Sequence, residues 1–186
     1  NACKTKVVNI SLKKSLNMTG TYLVDGTHQI EVEEHAKLLG VHIDSHLSFS
    51  HHVETVKKAA NKKCHGLLLL KRAGVRQPSL VMLYKSQILP TITHSSAAWY
   101  PYTTDYQQKD LEKSQKLALR IIFPEIESYG ERLAAAGCLN TLNETLKSIC
   151  RSYATKVKET ASHPLHSRLP KRPAGVRFSR RLSQSD

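Results

Sequence analysis

The sequence predicts an α+β fold: a small antiparallel β-sheet at the N-terminus, then a multi-helix bundle, then a disordered basic tail. Three observations lead there. Apolar residues alternate with period two as far as Phe49. From Ser50 they recur every three or four positions. Beyond about Ala161 periodicity ends in a stretch rich in proline and arginine. The 186 residues, 40% of them apolar, suffice for one ordinary domain or two small ones. Four segments are expected: β structure over 1–49, a helical bundle over 50–124, further helices over 125–161 and the tail over 162–186.

In the first segment, "VVNISL" places Val8, Ile10 and Leu12 on one face of a strand. "TYLVDGTHQIEV" reads as a hairpin, because Asp25-Gly26 suits the positive φ of a type I′ turn. "KLLGVHID" reads as a third strand, with Leu39, Val41 and Ile43 on a common face.

Val53, Val56, Ala60, Cys64, Leu67 and the stem of Lys71 form the inner stripe of a long helix, with Ser50 as N-cap and Gly74 ending it. At 100° per residue Lys58, Lys62, His65 and Arg72 gather on the opposite face. Pro78 opens a second helix whose inner face is Leu80, Leu83, Tyr84, Gln87 and Ile88, and Pro90 kinks or stops it. "TITHSSAAWYPY" is apolar enough to be buried. A third long helix runs from Thr104 or Asp105 to Pro124. Capping boxes at Ser128/Glu131 and Thr141/Glu144 open two more, the last burying Leu142, Leu146, Ile149, Cys150, Tyr153 and Val157. The tail holds Pro164, Pro170 and Pro173 and too few apolar residues to offset chain entropy.

Lysine and arginine number 28 against 15 acids, a formal net charge of +13. Such an excess attracts polyanions, nucleic acid first among them. The competing interpretation is a basic but idle surface. No apolar run approaches the roughly 20 residues that cross a bilayer, so no membrane partner is expected. Cys3, Cys64, Cys138 and Cys150 show no metal spacing and read as reduced thiols, which suits an intracellular protein, nuclear or cytoplasmic.

No glycine-rich phosphate loop or nucleophile elbow is present. His42, His46, His51 and His52 are dense but match no zinc module. Asp25 and Asp44 are the only aspartates of the β segment, and Asp25 is taken by its turn, so two-metal phosphoryl transfer lacks its converging carboxylates. The chain is therefore not expected to be an enzyme by itself. Lysines along one face of the Ser50–Ala73 helix can meet phosphates without reading bases, although an ordinary solvated face would look the same. Tyr84, Trp99, Tyr100 and Tyr102 are candidates for base stacking, with core packing the stronger interpretation for Trp99 and Tyr84.

Taken together, "NACKTKVV", "HAKLLGVHIDSHLSFSHHVETVKKAANKK", "LVMLYKSQILPTITHSSAAWYP", "LEKSQKLALRII" and "YGERLAAAGCLNTLNETLKSICRSYATKV" resemble consecutive blocks of a LINE-like, jockey-type non-LTR retrotransposon polyprotein. The resembling part follows the reverse-transcriptase catalytic core and covers Asn1 to about Pro170. The resemblance implies an RNA-directed DNA polymerase as the parent, with 1–49 the end of the palm, 50–124 the thumb and 125–161 a post-thumb region. Asn1, Lys4, Thr5 and Lys6 resemble the motif after the catalytic Asp-Asp hairpin. Leu38 to Val41, "LLGV", resembles the primer grip, where Gly40 would let another backbone approach closely.

The family's catalytic aspartates lie upstream of that motif, and the chain starts without a methionine, as a cut-out piece would. "LNETLK" departs from the arginine pair that relatives carry there. The resemblance thus implies a fragment that binds and positions template–primer nucleic acid through Lys4, Lys6, Leu39, Gly40, Val41, Lys58, Lys62 and Arg72. It implies no cofactor in this chain, Mg2+ belonging to the missing palm. The implied partners are the RNA/DNA template–primer duplex and the upstream palm and fingers of the same polyprotein. The alternative is a helical protein-interaction or structural remnant with no nucleic-acid role, and a metal hydrolase built on the histidines ranks last. Without a palm to cover them, Val8, Ile10, Leu39 and Val41 are expected to leave an apolar patch exposed.

Overall fold

The computed structural model describes residues 5–10, 20–24 and 28–169. It is α+β, as expected, and divides into two compact units, Asn1–Cys150 and Arg151–Asp186. Most of the expected tail lies outside the described residues; within its first part His166–Arg168 forms a single 3-10 turn. Among the described residues no helix is long and apolar enough to cross a membrane.

Among the described residues the strands form two separate two-stranded antiparallel sheets rather than one sheet. β1 (Thr21–Val24) and β2 (His28–Glu31) pair antiparallel, Val24 opposite His28. Asp25 and Gly26, the expected turn, fall outside the described residues. Val7 makes only an isolated parallel bridge to Val32. Ile10 is exposed, and Leu12 lies outside the described residues.

"KLLGVHID" is not one strand. It is β3 (His35–Leu38) and β4 (Val41–Asp44) folded back on each other, with Leu38 opposite Val41. Leu39 and Gly40 form the two-residue turn, with φ of 48° and 87°. Positive φ at both central positions is the backbone signature of a type I′ hairpin turn. Leu39 therefore does not share a face with Val41 and Ile43; it stands at the tip, 86% exposed. A Leu-Gly pair between apolar runs carries little turn chemistry at its first position, which is why period two runs through it unbroken.

α1 (Ser50–Arg72) begins after Phe49, buried and at φ 53°, and Ser50 is its first residue rather than its cap. Asp44 does the anchoring instead. Its carboxylate accepts from the backbone N–H groups of His46 (3.1 Å), Ser48 (2.9 Å) and Phe49 (2.7 Å). Gly74, at φ 84°, closes α1 as expected, its N–H bonding to Lys71 O and that of Val75 to Leu70 O. The Lys71 ammonium reaches Ile122 O (2.7 Å), placing a cation at the C-terminus of α5 (Asp105–Ile122).

α2 (Gln77–Leu83) starts one residue before Pro78, which takes its second position instead of the expected first, and Pro90 does not stop it. A π-helical turn over Tyr84–Ile88 runs directly into α3 (Leu89–Thr93). Proline has no N–H and its ring crowds the carbonyl four residues back, and the wider π turn accommodates both. The shift leaves Gln87, expected inside, exposed. α4 (Ser96–Trp99) and a 3-10 turn (Tyr100–Tyr102) follow.

Thr104 and Gln107 close a reciprocal capping box on α5. α6 (Tyr129–Ala135) starts at Ser128 without a side-chain cap bond, so that expected box does not form. α7 (Leu142–Glu159) has its box: Glu144 N–H donates to Thr141 Oγ1 and Thr141 N–H to Glu144 Oε2. Glu112 adds to it, accepting from Leu142 N and Asn143 N. Tyr153, expected inside, is exposed.

The core of the first unit lies where α1 and α5 pack together. Leu80, Ile88, Ile92, Leu111, Leu119 and Ile122 are fully buried, each such side chain contributing about 1.5–3 kcal/mol. Lys57 and Asp110 pair across the two helices at 2.5 Å. This core fixes α1 and the π turn side by side, and the β3–β4 hairpin is laid against the first turns of α1.

Candidate nucleic-acid interface

A groove of about 460 Å³ runs between the β3–β4 hairpin, α1 and the π turn with α3. Lys37, Gly40 and His42 form one wall, Thr55, Ala59 and Lys63 the floor, and Gln87, Thr91 and His94 the other wall. A smaller apolar cavity of about 260 Å³ continues along α1, lined by Leu67, Leu70, Leu83 and Ile88. Lys63 and Gln87 line both.

Lys63 is held in place by the distorted helix. Its ammonium donates to Gln87 O (2.8 Å) and to Thr91 Oγ1 (2.6 Å). Thr91 Oγ1 itself donates to Gln87 O (2.8 Å). An ammonium carries three protons, so one remains for a ligand in the groove.

Gly40 meets the opposite wall. His94 Nε2 lies 3.1 Å from Leu39 O and 3.1 Å from where a Gly40 Cβ would stand. A carbonyl can only accept, so Nε2 carries the proton. His94 is itself set by Trp99, whose Nε1 donates to His94 O (3.0 Å). Ser95, at φ 50°, turns the chain between α3 and α4 at this point.

Four more imidazoles surround the hairpin. Ring centroids are 4.7 Å apart for His42–His51, 5.5 Å for His35–His51 and 6.2 Å for His42–His52. His52 is buried, its Nδ1 accepting from His42 N–H (3.3 Å) and its ring packed on Trp99. Burial, helped by His42, His94 and His51, lowers its pKa to about 4, so it is neutral at pH 7. Burial first, then His51, Lys37 and His35, pull His42 below the ordinary imidazole value. Among the described residues no three of histidine, cysteine, aspartate and glutamate are placed to hold a metal ion.

The expected site residues divide. Gly40 lines the groove and Leu39 projects from the tip above it. Val41 is buried in the core, where its side chain supports the turn and does not meet a ligand. Lys62 is exposed and lies about 20° around α1 from the groove residue Thr55, on the rim. Lys58, tied to Glu54 at 2.7 Å, and Arg72 are exposed farther around. Lys6 is paired with Glu33 at 2.6 Å, away from these helices, and Lys4 lies outside the described residues. Of the four aromatic candidates Tyr84, Trp99 and Tyr100 are buried, and Tyr102 alone among them is open to a base.

Sequence reasoning missed Lys37, His94 and Lys63. Lys37 pairs directly across the hairpin from His42, which could not be read without the turn. Lys63 stands one residue beyond Lys62, but its role depends on the carbonyl that the π turn turns toward it.

No protein-family model, curated protein or solved structure matches the chain.

Proposed function

We propose that this chain is the post-catalytic part of a LINE-like, jockey-type reverse transcriptase and that it binds and positions template–primer nucleic acid. The observation that carries this reading is the convergence of the Gly40 turn and Lys63 on one cation-bearing groove. The turn offers backbone at the tip of a rigid hairpin, and Lys37 and Lys63 neutralise phosphates beside it. Holding the strand end in register accelerates a reaction whose carboxylates and Mg2+ belong to a separate palm. The partners are the RNA/DNA hybrid and that palm, inside a cell, in nucleus or cytoplasm.

The test is a salt titration of binding to a fluorescein-labelled RNA–DNA hybrid. Affinity should fall linearly with the logarithm of salt concentration, and K37A/K63A should flatten the slope by about two. Salt-independent binding, or primer extension by the purified chain unaided, would overturn the reading.

A second reading, a protein-interaction role, is favoured by the exposure of Leu70, which lines the apolar cavity, and of Leu69 and Met82. It expects a partner complex that survives high salt and nuclease.

A further inference from the structure

The wall of the groove formed by β3 and β4 is unusual in carrying proton-binding groups where fixed charges would serve. Lys37 and His42 stand opposite each other in the hairpin register, as do His35 and Asp44, so all four side chains share one face. That face looks onto the first turns of α1, where His51 lies against both His35 and His42. His51 thus contacts both His35 and His42, and of the three it is His42 that lines the groove, opposite Lys37 in the hairpin.

We propose that His35, His42 and His51 make the grip on nucleic-acid phosphates proton-dependent, tightening as pH falls through the imidazole range. The inference rests on the nucleic-acid reading of the groove. Two acids lie near the cluster, Asp44 opposite His35 in the hairpin and Glu54 one turn along α1 from His51. Asp44 is occupied by three backbone N–H groups and Ser48 Oγ, and Glu54 is paired with Lys58. The other groups facing it are Lys37, Lys63 and His94, which are donors, and the buried His52, which stays neutral across the same range. Protons entering adjacent imidazoles oppose one another. A polyanion in the groove removes that opposition, so binding takes up protons and affinity rises on acidification.

The full chain is titrated with a fluorescein-labelled RNA–DNA hybrid at about pH 8 and about pH 5.5, across the span in which histidine changes charge. Circular dichroism at both pH values checks that the fold persists. The wild-type Kd should fall about tenfold on acidification and the salt slope steepen by about one to two. H35Q/H51Q changes only exposed side chains and should remove most of that gain. H65Q, on α1 away from the cluster, should retain it. Equal Kd values at the two pH values, or an undiminished gain in H35Q/H51Q, would overturn the proton-dependent grip and leave the nucleic-acid reading standing. Failure to bind at either pH would overturn both.

Discussion

His94 and Leu39 are joined by a hydrogen bond of 3.1 Å from an imidazole Nε2 to the carbonyl oxygen of a residue held at φ 48°. The bond spans 55 positions of sequence and pins the hairpin tip to the end of α3. Leucine is a poor resident of that backbone region, where Cβ crowds the neighbouring carbonyl. Its side chain is exposed and contributes little packing in return. A strained, outward-facing leucine at a fixed tip is what a contact residue would look like.

Leu39→Asn should therefore stabilise the chain by about 0.5–1 kcal/mol, since asparagine tolerates positive φ and Asn-Gly is the favoured type I′ pair. Urea unfolding measures it. If Leu39 meets the nucleic acid, the same variant binds the hybrid more weakly while being more stable. A loss of stability would mean that Leu39 packs against something the exposed tip does not suggest.

Lys63→Met should weaken hybrid binding more than Lys58→Met, although both remove one exposed lysine charge. Lys63 is positioned by Gln87 O and Thr91 Oγ1, whereas Lys58 is paired with Glu54 on the solvent face. The expected change in the slope of log Kd against log salt is about one for Lys63 and near zero for Lys58. Equal effects would place the contact surface on the outer face of α1 instead of in the groove.

Asp44→Asn tests the anchor of α1. Burial pushes the Asp44 carboxyl up, but the hydrogen bonds from Ser48, Phe49 and His46 outweigh it and hold it below the usual carboxylate range. A folded value below the unfolded one gives a contribution present in full above about pH 4 and lost as pH falls through the folded value. The melting temperature of wild type should exceed that of D44N by a constant amount near neutrality. The gap should close only below about pH 4. Asparagine cannot accept at both oxygens, so the bond from Phe49 N–H (2.7 Å) or those from His46 and Ser48 must be lost.

His52 acts in the same direction, over a higher pH window. Its folded value of about 4 lies below the ordinary imidazole value of 6.5, so between them the unfolded chain binds a proton that the native site refuses. Stability should fall as pH drops through that window and level off below it. His52→Asn retains an acceptor for His42 N–H while removing the ionisable group, and its stability profile should be flatter between those two values. A profile as steep as wild type would assign the acid sensitivity to another group.

Helix positions were legible because α1, α5 and α7 are long, periodic and bounded by punctuation whose chemistry is local. Gly74 supplies positive φ, and Thr104/Gln107 and Thr141/Glu144 satisfy their own backbone donors. Ser128 shows the limit: the right residue types at the right spacing, yet no cap bond. The hairpin turn was illegible for a different reason. Leu39 is held at positive φ by His94 from far along the chain, and no window around Leu39 contains that partner.

Sequence alone determined the α+β class, the net positive charge and the inner stripe of α1, because composition and periodicity are properties of neighbours along the chain. Tertiary structure decided which cations share a groove. Lys63 acts there rather than on the solvent face because the π turn before Pro90 presents Gln87 O to it. Gly40 lines the same groove because His94 fastens its hairpin across α1. Hydrogen bonds between residues 24 and 55 positions apart depend on how the core packs helices together, and no local pattern encodes that.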